Sequence, residues 1–260
     1  MNLSFKRTSD VEVTRDGNML RVTIRRAEKR NPLSLGVLEE IRAAFSEHAG
    51  DESIVLAVVT GEGDQAFASG GDLRELADYR SEADGLALSR HGKAALDSVR
   101  NFPVPVVARI NGVALGGGAE LALACDMRIA ARHARIGFVH SRLKIAPSWG
   151  GGIDLVRLVG PSRATWLMAR GDVLDATEAL RLGLIDSHAP DEDFDAFFED
   201  CIESLRSQPP QVMRAIKSLV VTQRAMGRAA ADAAETAHFA RVWAHADHWA
   251  AVHSLESQRP

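Results

Sequence analysis

The sequence predicts an α/β core followed by a helical tail. Strand, glycine-bearing turn and helix alternate through the first two thirds of the chain, and from about residue 161 onward helical periodicity takes over. No internal repeat, low-complexity tract or flexible linker interrupts the 260 residues. The expected division is therefore a core over 1–195 and a helical region over 196–260, not two independent domains.

The elements follow in chain order. Val11 and Val13, a DGN turn at 16–18, then Leu20, Val22 and Ile24 alternate as a hairpin does. Ser34 stands where it caps a helix whose Leu38, Ile41, Ala44 and Phe45 recur at spacings of three and four. IVLAVVT at 54–60 is a continuous apolar run, the pattern of a strand buried on both faces. A helix over about 83–101 stops at the PVP of 103–105, and VVARI at 106–110 is the next buried strand. ELALAC then reads as helix and DMRIAA as strand, and Ile136–Val139 is a short strand ending on His140. Helical patterns close the chain over 161–169, 175–182, 191–206, 210–225 and 228–254.

Composition removes several classes of function. Lys and Arg number 31 against 35 Asp and Glu, a net charge of −4, with no basic run longer than a few residues and no interleaved aromatic stripe, which argues against a nucleic-acid partner. Cys125 and Cys201 are isolated and lack metal-ligand spacing, so they read as reduced thiols. No signal-peptide pattern opens the sequence and no apolar stretch reaches the roughly 20 residues of a membrane span. A cytoplasmic protein without a membrane partner is the expectation.

Two glycine-bearing turns carry the chemistry. VALGGGAE at 113–120 places three glycines between a strand and a helix, where bare N–H groups and the helix dipole favour a negative oxygen. Close helix–strand packing explains the same glycines without a ligand. The turn has neither the GKS of a phosphate loop nor a dinucleotide fingerprint. FASGGDL at 67–73 is a second turn of the same kind, and together the two offer donors from separate loops to one oxygen. Tyr79, the single tyrosine, reads as a lid or surface residue. His238, His245, His248 and His253 recur at helical spacing without a carboxylate pattern, so they read as a solvated or interface face, and no metal is expected.

FASGGDL, then NGVALGGGAELALACDMRIA at 111–130, with EKRNPLS at 28–34 upstream, resembles the crotonase, or enoyl-CoA hydratase/isomerase, superfamily over nearly the whole chain. The resemblance implies a spiral of ββα units, a helical C-terminal part that drives assembly into a homotrimer or homohexamer, and an acyl-CoA substrate, with no separate cofactor. Carried over by motif, Ser69 and Gly117 supply the N–H groups of an oxyanion hole. Gly70, Gly71 and Asp72 border the thioester arm, and Arg30 neighbours the CoA phosphates or ribose. Glu120 matches the first of two glutamates that hydratases of this family use as acid and base.

The second glutamate position, seven residues before Pro147, holds His140. The stretch FVHSRLKIAPSWGG resembles, within the superfamily, the branch that decarboxylates ethylmalonyl-CoA and methylmalonyl-CoA. A malonyl-type thioester brings its own carboxylate, which two glutamates would repel and a histidine can face. The expected activity is therefore decarboxylation through an enolate, with Glu120 or His140 delivering the proton and Trp149 forming an apolar wall. Hydration or isomerisation by the Glu120–His140 pair is the alternative. A non-catalytic acyl-CoA-binding or RNA-binding scaffold is the third reading. The glycines after Trp149 are expected to start the next helix close to the pocket.

Overall fold

The computed structural model describes residues 9–190 and 193–225. The expected hairpin is β1 (Val11–Asp16) and β2 (Met19–Ile24), turned at Gly17, and α1 (Leu35–His48) starts at Ser34, whose hydroxyl accepts from the Val37 N–H. Three ββα turns follow. The first is β3 (Leu56–Gly61), β4 (Ala66–Ala68), a short α2 (Leu73–Leu76) and α3 (Glu82–Arg100). The second is β5 (Val106–Ile110), β6 (Val113–Leu115) and α4 (Gly117–Ala124). The third is β7 (Met127–Ala130), β8 (Arg135–Gly137) and α5 (Gly151–Val159).

The first strand of each turn enters one sheet and the second enters the other. One sheet has the order β1-β2-β3-β5-β7-β10 and the other β4-β6-β8-β9, with α6 (Pro161–Arg170), β9 (Val173–Asp175), α7 (Ala176–Leu182) and β10 (Ser187–His188) completing the pair. From β2 to β10 the larger sheet is parallel throughout, and β3 is buried along its length, which is why its sequence is an unbroken apolar run. α8 (Phe194–Arg206) and α9 (Pro210–Ala225) form the described part of the helical tail.

Two expectations change. The strand read as Ile136–Val139 is Arg135–Gly137, and His140 lies in a 3-10 turn over Val139–Leu143. The ladder partners decide this, because β8 pairs through Gly137 with Leu115 and with Val173 and has no register partner beyond. β9 and β10, three and two residues long, were not anticipated, since neither is long enough to show a period of two. The pattern at 228–254, with its four histidines, lies outside the described residues. Among the described residues no helix is long and apolar enough to cross a membrane.

Candidate active site

The two glycine turns meet at one end of the molecule. The irregular segment Arg30–Leu33 lies against the FASGGDL turn: Leu33 N–H donates to Gly70 O at 2.8 Å and Asp72 N–H to Leu33 O at 3.1 Å. Asn31, wholly buried at a left-handed φ of 52°, pins this segment by donating to the carbonyls of Glu62 and Ala66. Opposite lies the VALGGGAE turn. A Cβ on Gly70 would sit 3.6 Å from Gly117 N, so the loops are in near contact.

This pairing corrects one predicted donor. Ser69 N–H donates to the Arg30 carbonyl at 3.1 Å and is not free for a ligand. Two residues on, Gly71 N–H has no hydrogen-bond partner among the described residues, and neither has Gly117 N–H, which opens α4. Gly116 turns the chain into that helix at φ 53°. The unengaged pair is thus Gly71 and Gly117.

A cavity of about 480 Å³ opens onto both glycines. Its walls are mainly apolar, with Leu33, Leu35, Leu76, Leu88, Val139 and Ile145 among them, a lining of the kind that accepts an acyl chain. Ser69, Gly70, Gly71, Gly117, Glu120, His140 and Trp149 all line it, as does the half-buried Tyr79. Sequence reasoning missed the leucines, which carry no signal beyond ordinary core periodicity. Two predicted contacts are not in its lining. Arg30 has an exposed side chain, and the Asp72 carboxylate is taken by Arg26 at 2.9 Å while capping α2.

Among the described residues of the lining, Glu120 is the one carboxylate and His140 the one imidazole. They touch: His140 Nε2 lies 3.1 Å from Glu120 Oε2, and both side chains are buried. The other oxygen, Oε1, accepts from the N–H groups of Trp149 at 2.9 Å and Gly151 at 3.1 Å. His140 Nδ1, on the other side of the ring, is buried without a hydrogen-bond partner among the described residues. α5 does start against the pocket, since a Cβ on Gly151 would fall 2.5 Å from Glu120 Cγ.

Trp149 packs edge-on against three glycines. Cβ atoms placed on Gly117, Gly92 and Gly71 would meet its indole at 2.3, 2.3 and 3.8 Å. Neither cysteine competes as a nucleophile. Cys125 is buried, and desolvation pushes its thiol up to about 12; the half-buried Cys201 is also raised, first by burial. Among the described residues no cluster of three or more His, Cys, Asp or Glu could hold a metal ion.

A ββα spiral in which two glycine turns and a buried acid–imidazole pair close around an apolar cavity defines the crotonase class of acyl-thioester proteins. A family model described as enoyl-CoA hydratase/isomerase matches residues 14–260, and the chain belongs to that family. It is similar to the probable enoyl-CoA hydratase of Bacillus subtilis, at 36% identity over 162 residues, 62% of each protein's length. It is 33% identical to the mitochondrial methylglutaconyl-CoA hydratase of Mus musculus over 242 residues, 91% of this chain and 76% of that one. The crystal structure of an enoyl-CoA hydratase from Bacillus anthracis superposes with a TM-score of 0.89 at 29% identity, covering 96% of this chain and 97% of the other.

Proposed function

We propose that the protein hydrates an enoyl-CoA, with the Glu120–His140 pair moving the protons. This reverses the order suggested by the sequence, where decarboxylation led. The observation that carries it is the 3.1 Å contact between the two side chains inside a cavity onto which two unengaged N–H groups open. The hydratase names of the relatives support the same reading.

In the proposed reaction the thioester oxygen sits between Gly71 N–H and Gly117 N–H. The pair takes a proton from water as its oxygen bonds to the β-carbon, and the double-bond electrons run to the thioester oxygen as an enolate. The same proton then returns to the α-carbon. The pair ends as it began, so nothing else is consumed. Each N–H donor to the enolate is worth about 2.7–4 kcal/mol in the transition state. A homotrimer or homohexamer belongs to this proposal, and exposed apolar side chains such as Ile153, Trp166 and Leu219 offer it a surface.

Decarboxylation of a malonyl-type thioester is the second reading, favoured by one feature. With Glu120 as the one carboxylate among the described residues of the lining and His140 beside it, a substrate carboxylate meets an imidazole instead of a second negative charge. The C–C bond electrons then form the enolate, CO2 leaves, and the pair relays a proton from solvent to the α-carbon and so ends as it began. Incubation with crotonyl-CoA, followed by loss of enoyl absorbance, is compared with CO2 release from methylmalonyl-CoA and ethylmalonyl-CoA. Hydration is the expected result. CO2 release without hydration transfers the assignment to the second reading, and turnover of neither overturns both.

A further inference from the structure

We infer that Arg100 is a positioning residue for Glu120, acting through the backbone of Trp149–Gly151. The inference rests on the reading of Glu120 as a proton-moving group. Arg100 is the last residue of α3, outside the cavity lining, with its side chain 9% exposed. Its guanidinium has three separate anchors. Nη2 donates to the Trp149 carbonyl at 3.0 Å, Nε to Asp154 at 2.8 Å and Nη1 to Asp97 at 2.8 Å.

The Trp149–Gly151 segment is consequently gripped from both sides. Its carbonyl at Trp149 faces Arg100, while its N–H groups at Trp149 and Gly151 face Glu120 Oε1. Both glycines are required by this packing: a Cβ on Gly150 would lie 2.9 Å from Arg100 Nη2, and one on Gly151 2.5 Å from Glu120 Cγ. Asp154 belongs to the first turn of α5, so its ion pair fixes the helix start that supplies Gly151 N–H. A planar guanidinium holds two carboxylates and a carbonyl in directions fixed by its rigid fork of donors, whereas an ammonium is a point charge with three rotatable donors. The brace keeps Glu120 in one rotamer, and with it the His140 ring that shares its other oxygen.

The test compares wild type with Arg100→Met, and with Arg100→Lys and Asp154→Asn where the Met variant does not fold. Amide hydrogen exchange at Trp149 and Gly151 is expected to accelerate at least about tenfold while the rest of α4 and α5 keeps its protection. Turnover is expected to fall about 10–100-fold in kcat with little change in KM, as when a reacting group is misplaced by a fraction of an ångström. The fall disappears in a Glu120→Gln background, because the brace then has nothing to position. Unchanged exchange at Trp149 and Gly151 overturns the inference. So does a kcat loss of equal size with and without Glu120. If the wild-type chain turns over neither enoyl-CoA nor malonyl-type thioesters, the proposed function fails by itself, and the exchange comparison alone decides the role of Arg100.

Discussion

Ser69 and Gly71 stand two positions apart, yet their N–H groups have opposite fates. Ser69 gives its hydrogen to the Arg30 carbonyl, whereas Gly71 faces the cavity with its hydrogen unengaged. Both fit the motif FASGGDL equally well as a string of letters. What separates them is the segment Arg30–Leu33, nearly 40 residues earlier, whose Arg30 and Leu33 carbonyls take the N–H groups of Ser69 and Asp72 and pass over Gly71 between them. That Glu120, His140, Gly117 and Trp149 share one cavity was legible because a local motif places each of them, but the free donor depends on a long-range register. The difference is open to a direct measurement. The pairing with Leu33 uses Gly70 O and Asp72 N–H, so Gly71→Pro deletes a donor without breaking a bond of that pairing. It is expected to lower kcat about 10²–10³-fold, the typical cost of one oxyanion donor. Gly71→Ala keeps the N–H and brings a Cβ only to 3.1 Å from the flexible end of Leu76, so most activity should remain. Equal losses in the two variants would remove Gly71 from the hole.

At the level of elements, long periodic segments were readable and brief ones were not. α3 falls within a residue of its expected span because Ser81 and Asp84 form a reciprocal capping box and the chain after Asn101 runs into PVP. Phe138 and Val139, which lead into the turn carrying His140, were read as strand because so short an apolar run cannot show where the partner strands end. Gly92, in the middle of α3, looks from sequence like a defect costing about 1 kcal/mol relative to alanine. Packing gives it a reason: a Cβ there would lie 2.3 Å from Trp149 Nε1. The indole is wedged between α3, the start of α4 and the Gly71 turn. Overpacking of about 1–3 kcal/mol therefore outweighs the helical gain, and Gly92→Ala should destabilise the protein in urea denaturation. In a Trp149→Ala background the same change should become stabilising, by up to about 1 kcal/mol. If the sign does not reverse, the indole is not what excludes the methyl.

Over the whole molecule, a buried ion pair joins the spiral to the helical tail. Lys217, on α9, is 1% exposed and donates to Asp126 Oδ2, which also accepts the N–H of Val106 at the start of β5. Burial pulls the lysine below its ordinary pKa, and the facing carboxylate acts against that pull. Nothing in the composition or periodicity of α9 announces this contact, since a lysine in an amphipathic helix is normally solvated. Removing one member strands the other. Lys217→Met leaves Asp126 with the Val106 N–H and Arg224 at 3.5 Å, and is expected to cost about 3–5 kcal/mol in guanidinium unfolding. Adding Asp126→Asn removes the stranded charge while an amide oxygen still accepts from Val106, so the double variant should recover at least half of that loss. Both side chains lie outside the cavity lining. Folded Lys217→Met protein, assayed well below its unfolding midpoint, should therefore retain wild-type kcat and KM. A double variant no more stable than Lys217→Met would mean that α9 is held by its apolar contacts and that the charge pair is incidental to the union of tail and core.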